Sequence, residues 1–269
     1  MRGRQRFSNR CSQGFTLIEI ITVIILLSIV SVIGGRMIIT TTESYNQAQS
    51  RSKLIQKGRL SIERMTRQLR SAVPNSLRVS GSGACIEFMP LVAGASYLTD
   101  VADSSNGVTP RSSIGTASFT LGLGSPAHAV VAPFSSDEVY TAAVPSARVA
   151  IGVLGAAPIT SVPLASAHQF VRNSINRRVY LGAAPARFCI NGTDLVYYTS
   201  YVLDTGALGD GDPGGSTSIL SGGVAAAPTA FVLALGTQDR NATVDLHLQY
   251  SEGGESVVLN HTVFIRNVP

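Results

Sequence analysis

The chain has 269 residues, 45% of them apolar and 14% charged, with no tryptophan and a formal net charge of +5. That length suits one sizeable domain or two small ones. The positive balance is no footprint for nucleic acid, because Arg2, Arg4, Arg6 and Arg10 supply all but one of those charges. What remains lacks the basic surface that phosphate neutralisation requires.

Residues 1–14 form a basic leader without an acid. Residues 15–35 then read FTLIEIITVIILLSIVSVIGG, an apolar run broken by one charge, Glu19. Twenty-one residues make about 32 Å of helix, enough to span a bilayer core. Arginines before the run keep the leader in the cytoplasm and send the rest across. A secretory signal peptide has a shorter apolar core that ends in a small-residue cleavage site, and neither feature is present. A plain anchor explains the length but not Glu19. A carboxylate within a membrane helix costs a few kcal/mol and calls for a partner.

Beyond Arg36 the pattern becomes amphipathic. Ile55, Ile62, Met65, Leu69 and Val73 form one apolar stripe at spacings of seven, three, four and four. Charges lie between them, and Glu63 and Arg67 are placed for an i,i+4 pair. Pro74 lacks an amide donor and restricts Val73, so the helix is expected to run from 15 to 73, loosened at Gly34-Gly35. Arg51, Lys53, Lys57 and Arg59 read as a solvated face.

The heptapeptide Gln13-Gly14-Phe15-Thr16-Leu17-Ile18-Glu19, behind a basic leader and ahead of an apolar run, resembles the type III signal of type IV pilins and type II secretion pseudopilins. The resemblance implies cleavage after Gly14 by a prepilin peptidase and methylation of the new amino terminus at Phe15. Glu19 becomes the fifth mature residue, and with Thr16 it belongs to the assembly segment. Its carboxylate would pair with the amino terminus of a neighbouring subunit. Opposite charges in a low-dielectric bundle offset one another, whereas either alone is costly. The stretch from Arg59 to Arg70, continuing to Ser76, and the end from His261 to Pro269 look like larger minor pilins of the MshO type in mannose-sensitive haemagglutinin (MSHA) pili. Minor pilins of the PilW type and pseudopilins of the GspJ type are related groups. Many major pilins carry a proline where this chain has Gly34-Gly35-Arg36.

From Cys85 onward, short apolar runs alternate with Gly, Pro, Asn and Asp, the pattern of a β-rich head. Val244, Leu246, Leu248 and Tyr250 alternate with Asp245, His247 and Gln249, so one face is buried. A Gly-Gly turn follows, and 256–266 returns as a second strand. Other strands are expected at 84–90, 138–144, 148–154, 194–203 and 231–235, with loops at 102–116 and 204–216. No linker separates a second domain. The fold class is therefore α+β: a long N-terminal helix, transmembrane at 15–35 and amphipathic at 36–73, packed on an antiparallel head at 74–269.

Cys11 leaves with the leader. Cys85 and Cys189 remain, and export of the head makes a disulfide between them the natural expectation; two buried thiols are the alternative. His128, His168, His247 and His261 match no catalytic motif, and Ser50-x-x-Lys53 stands alone without one. No catalytic residues and no cofactor are expected. Asp204, Asp210 and Asp212 lie in one Gly-rich loop, where oxygen ligands suit Ca²⁺. The spacing is not that of an EF-hand and Pro213 restricts the loop, so a solvated turn is expected instead.

The expected function is structural. It is a minor pilin of an MSHA-type pilus, near its tip or initiation complex, with adhesion following from that position. The partners implied are prepilin peptidase, other pilins, the assembly platform and the inner membrane, with the head in the periplasm. A type II secretion pseudopilin is one alternative. A membrane-tethered periplasmic binding module is another, from a different class.

Overall fold

A computed structural model describes residues 14–141, 143–225, 229–236 and 241–265. Residues 1–13, with the leader arginines and Cys11, and residues 266–269 lie outside that range. The chain falls into two units, residues 1–50 and 51–269.

The described part of the first unit is almost wholly helix. Helix α1 spans Leu17–Arg70 and stays helical through Gly34-Gly35. Up to Ser50 its side chains are exposed with few exceptions.

In the second unit, α1 is followed by β1 (Arg78–Val79), β2 (Cys85–Phe88), β3 (Leu91–Ser96), β4 (Arg111–Phe119) and β5 (His128–Val131). Helix α2 (Ser136–Tyr140) precedes β6 (Arg148–Ala150), β7 (Ile159–His168), β8 (Arg178–Gly182), β9 (Ala186–Asn191) and β10 (Asp194–Thr199). The chain closes with β11 (Ser216–Gly222), β12 (Val224–Ala225), β13 (Phe231–Ala234), β14 (Ala242–Glu252) and β15 (Glu255–Ile265). Among the described residues, every pairing between these strands is antiparallel. The long helix with antiparallel sheets makes the α+β, pilin-like arrangement.

Two sheets share the core with residues 51–70 of α1. One has the order β1-β2-β9-β10-β11; in the other, β12 and β13 lie along one edge of β14 and β15 along the other. Leu54, Met65 and Leu69 pack with Phe88, Phe188, Leu246 and Tyr250. The buried stripe on α1 is Leu54, Gly58, Ser61, Met65 and Leu69, while Ile55 and Ile62 sit at its flank. Gly58 causes that rotation. A Cβ there would overlap Leu259 Cδ1 and come within 3.0 Å of Tyr250 Cε2, so the absent side chain lets the hairpin approach the helix.

Residues 91–182 form a lobe inserted between the neighbouring strands β2 and β9. One of its sheets runs β3-β8-β5-β6, and the other is the pair β4-β7. Bridges at Tyr97–Thr116 and Ile151–Leu164 join them into a ring of six strands. Ala129, Val131, Val162, Val179 and Leu181 fill its own core. At the neck, Val73, Met89, Val130, Val139, Tyr140 and Tyr180 pack together, and the Ala183 N–H donates to the Pro90 carbonyl at 2.8 Å. The sequence showed no such second core, because the lobe joins without a linker.

Three expectations are corrected. The helix ends at Arg70 and not at 73, because the Val73 N–H donates to Met89 O (2.8 Å) and the Leu91 N–H to Ser71 O (2.9 Å). The expected strand at 138–144 is helix α2 in its first part. Asp137 and Glu138 occupy its first turn, where carboxylates are favourable, and Val139 and Tyr140 turn into the core. The expected loop at 102–116 gives way to β4 from Arg111 onward, held by β7. Ile114 and Thr116 are its buried residues, and one apolar side chain between serines, glycine and threonine gives no amphipathic signal. The 253–254 turn is a two-residue hairpin with both glycines at positive φ, +62° and +85°, a conformation that glycine adopts freely.

Candidate functional site

The N-terminal segment is built as the first turn of α1. The Thr16 carbonyl accepts from the amides of Glu19 (3.1 Å) and Ile20 (3.3 Å), so the hydrogen-bond ladder starts there. Gly14 and Phe15 precede the helix, and Phe15 is 79% exposed. Glu19 lies in the first turn, where the helix dipole favours a carboxylate.

Two hydroxyls in this apolar stretch turn back on their own helix. Thr22 Oγ1 donates to the Glu19 carbonyl at 2.9 Å, and Ser28 Oγ to the Ile24 carbonyl at 2.8 Å. Among the described residues, by contrast, no group bonds to the Glu19 carboxylate. Ile18, Leu26, Leu27 and Val30 are all at least 60% exposed. The stretch is long and apolar enough to cross a membrane, and none of the described residues buries it.

In the head, Cys85 and Cys189 are disulfide-bonded as opposite residues of β2 and β9. Two residues further along the same face lies a charged row that sequence reading missed. Arg78, Glu87, Arg187 and Tyr198 stand in register across β1, β2, β9 and β10. Glu87 is fully buried; it accepts from Arg78 Nε at 2.6 Å and from the Tyr201 hydroxyl at 2.7 Å. Burial and the adjacent Glu87 charge both push the Tyr201 phenol far up, so it remains the donor.

Arg78 also donates to the carbonyls of Gly206 (2.7 Å) and Asp204 (2.9 Å) and stacks over Tyr140 at 3.8 Å. Arg187 donates to the Gly209 carbonyl at 3.0 Å. The row therefore fastens the 204–210 loop over the disulfide. The clue in the sequence was a lone charge two residues from each cysteine: Cys85-x-Glu87 and Arg187-x-Cys189.

Asp204 and Asp212 cap their own turns, accepting from the amides of Gly206 and Gly214, each at 2.8 Å. Among the described residues no group of three His, Cys, Asp or Glu side chains is placed to hold a metal ion. His168 is buried against the Ser146 carbonyl, His247 meets Asn260 Oδ1 at 3.0 Å, and His261 is exposed. Arg51, Lys53 and Arg59 are exposed, and Lys57 reaches Glu252 at 3.5 Å. An open groove of about 870 Å³ between β1, α2 and β13 is lined by Arg78, Tyr140, Leu208, Phe231 and Leu233.

Residues 9–35 match the prokaryotic N-terminal methylation motif. Comparisons with curated proteins and with solved structures give no match to this chain. The motif, together with the exposed apolar helix and the antiparallel head, supports a protein of the type IV pilin or pseudopilin kind. It also implies processing by a prepilin peptidase and assembly with pilins.

Proposed function

We propose that this protein is a minor pilin of an MSHA-type type IV pilus, of the MshO type, and that it acts in the tip or initiation complex. It is a structural subunit without catalytic activity of its own. The observation that carries the reading is Glu19. It is an ionisable group in a helix made for an apolar surrounding, and it has no partner among the described residues. A neighbouring subunit's methylated amino terminus, at the position of Phe15, supplies the opposite charge.

The disulfide fits a head exposed to an oxidising compartment, hence a periplasmic head on an inner-membrane anchor. The inserted lobe gives this subunit bulk that suits a tip better than a uniform shaft. A minor pseudopilin of a type II secretion machine shares all of these features except the long external fibre.

Intact-mass and N-terminal peptide analysis of the protein from its native membranes is the test. A chain beginning at methylated Phe15 is expected. A chain that retains residues 1–14, or one cut beyond residue 35, would sink the reading. Glu19→Val should still be cleaved but enter the filament at least tenfold less often; unchanged entry would favour a tethered binding module.

A further inference from the structure

The 204–210 loop covers the Cys85–Cys189 bond, yet little fastens it there. It belongs to the connection between β10 and β11, whose ends meet as the Thr199–Ser216 pair. Gly214 and Gly215 take positive φ, +80° and +79°, and a Cβ at Gly215 would lie 2.4 Å from the Thr199 carbonyl oxygen. The connection is thus fixed at its base, with a glycine pair as hinge. Asp204 and Asp212 bond to amides within their own turns, so those turns do not depend on the body of the head.

From 204 to 212 every residue is exposed except Leu208. Leu208 packs with Cys85, Cys189, Val196, Tyr198 and Tyr201, and it is the member of that cluster that the loop supplies. The Asp210 carbonyl oxygen lies 3.8 Å from Cys85 Sγ. The other ties are donated by Arg78 to the carbonyls of Gly206 and Asp204, and by Arg187 to that of Gly209. Among the described residues, 204–210 makes no backbone–backbone hydrogen bond. A hollow of about 260 Å³ between Arg187, Tyr201, Gly209 and Asp212 leaves the second half of the loop loosely backed. Arg187 Nε is buried with no partner among the described residues, and water admitted by opening would satisfy it. A segment with one buried side chain and few backbone bonds opens at far lower cost than the whole fold.

We infer that this loop is a lid on the disulfide, a redox gate for the clasp at the neck of the 91–182 lobe. Closed, it denies a thiolate any approach to the sulfurs, since both cysteines are fully buried. Opened, it admits a small dithiol while β2 and β9 stay paired. A thiolate of the dithiol attacks one Sγ; the Sγ–Sγ bond breaks, and the other cysteine leaves as thiolate and takes a proton. The second thiol of the reagent then displaces the first cysteine, so the dithiol ends as a cyclic disulfide and both cysteines as thiols. Exchange with an oxidised dithiol runs the same steps backwards and resets the clasp. The gate is a property of the head alone and does not rest on the pilin reading.

Reduction of the full chain by dithiothreitol in detergent micelles, read by alkylation and peptide mass at Cys85 and Cys189, is the test. Below the unfolding midpoint the rate in the natural chain should not change with urea, because lid opening exposes little surface. A rate that climbs with urea at the slope of global unfolding overturns the proposal, since the bond then waits for the whole fold. Reduction as fast as that of oxidised glutathione also overturns it, because nothing would then be sealed. Leu208→Ser should speed reduction at least about tenfold with the urea dependence still flat, and Leu208→Met should keep the natural rate. An unchanged rate in a folded Leu208→Ser chain rejects the lid. Should that variant misfold, the urea dependence of the natural chain decides alone.

Discussion

Cys85 stands directly opposite Cys189, with their Cα atoms 4.1 Å apart, and the inserted lobe lies wholly within the 104-residue separation that this bond closes. The disulfide is thus a clasp across the two strands from which the chain leaves for the lobe and to which it returns.

Because that loop is long, constraint of the unfolded chain is worth about 4–5 kcal/mol in the chain-entropy model. Replacing both cysteines by serine should lower unfolding free energy by roughly 3–5 kcal/mol in urea titration. A loss under about 1 kcal/mol would mean that the Glu87 row alone holds the neck.

Glu87 should be the most sensitive polar residue of the head. Removing its carboxylate leaves Arg78 charged and largely buried beneath the 204–210 loop. Glu87→Ala is expected to cost about 3–5 kcal/mol, as loss of one member of a buried pair does. Glu63→Ala, which removes an exposed i,i+4 pair at 3.5 Å, should change stability by less than about 0.5 kcal/mol. Denaturant midpoints of the two variants make the comparison.

Gly58 is required for contact between helix and hairpin. Alanine gains up to about 1 kcal/mol of helix propensity but presses on the buried Tyr250 ring. Leucine cannot fit, and Gly58→Leu should destabilise by at least about 2–3 kcal/mol through overpacking. A thermal melt near that of the natural chain would show that the hairpin can swing away from α1.

The lobe carries a pH dependence. Burial, and then the adjacent Arg148, push His128 down to about 4. Arg148 Nη1 lies 3.3 Å from its Nδ1, which accepts only when the ring is neutral. The unfolded ring takes up a proton near 6.5 and the folded ring near 4. Stability from this group is therefore whole above about pH 6.5 and declines as pH falls toward 4, by about 3 kcal/mol. His128→Gln should flatten the wild-type slope between pH 6.5 and 4.5 in thermal melts; an unchanged slope would assign it elsewhere.

The N-terminal third was legible because its signals are local. An apolar run with one carboxylate, a glycine before phenylalanine and an amphipathic stripe with charges between need no tertiary context. The β14–β15 hairpin was legible for the same reason, since strict alternation and a Gly-Gly turn occupy adjacent residues. Strands β4, β7 and β11 were not. Their residues are small, polar or irregularly buried, and they become strands only through partners far along the chain.

The sequence by itself determined the N-terminal methylation motif, the apolar helix long enough to cross a membrane, Glu19 within it and the β character of the head. These follow from residue order over a few helical turns or one strand pair. Tertiary structure alone decided that residues 91–182 form an inserted six-stranded lobe, that Gly58 and not Ile55 faces the hairpin, and that Glu87 ties a distant loop over the disulfide. Each depends on non-local pairing, where register and close approach are set by packing rather than by the pattern of neighbouring residues.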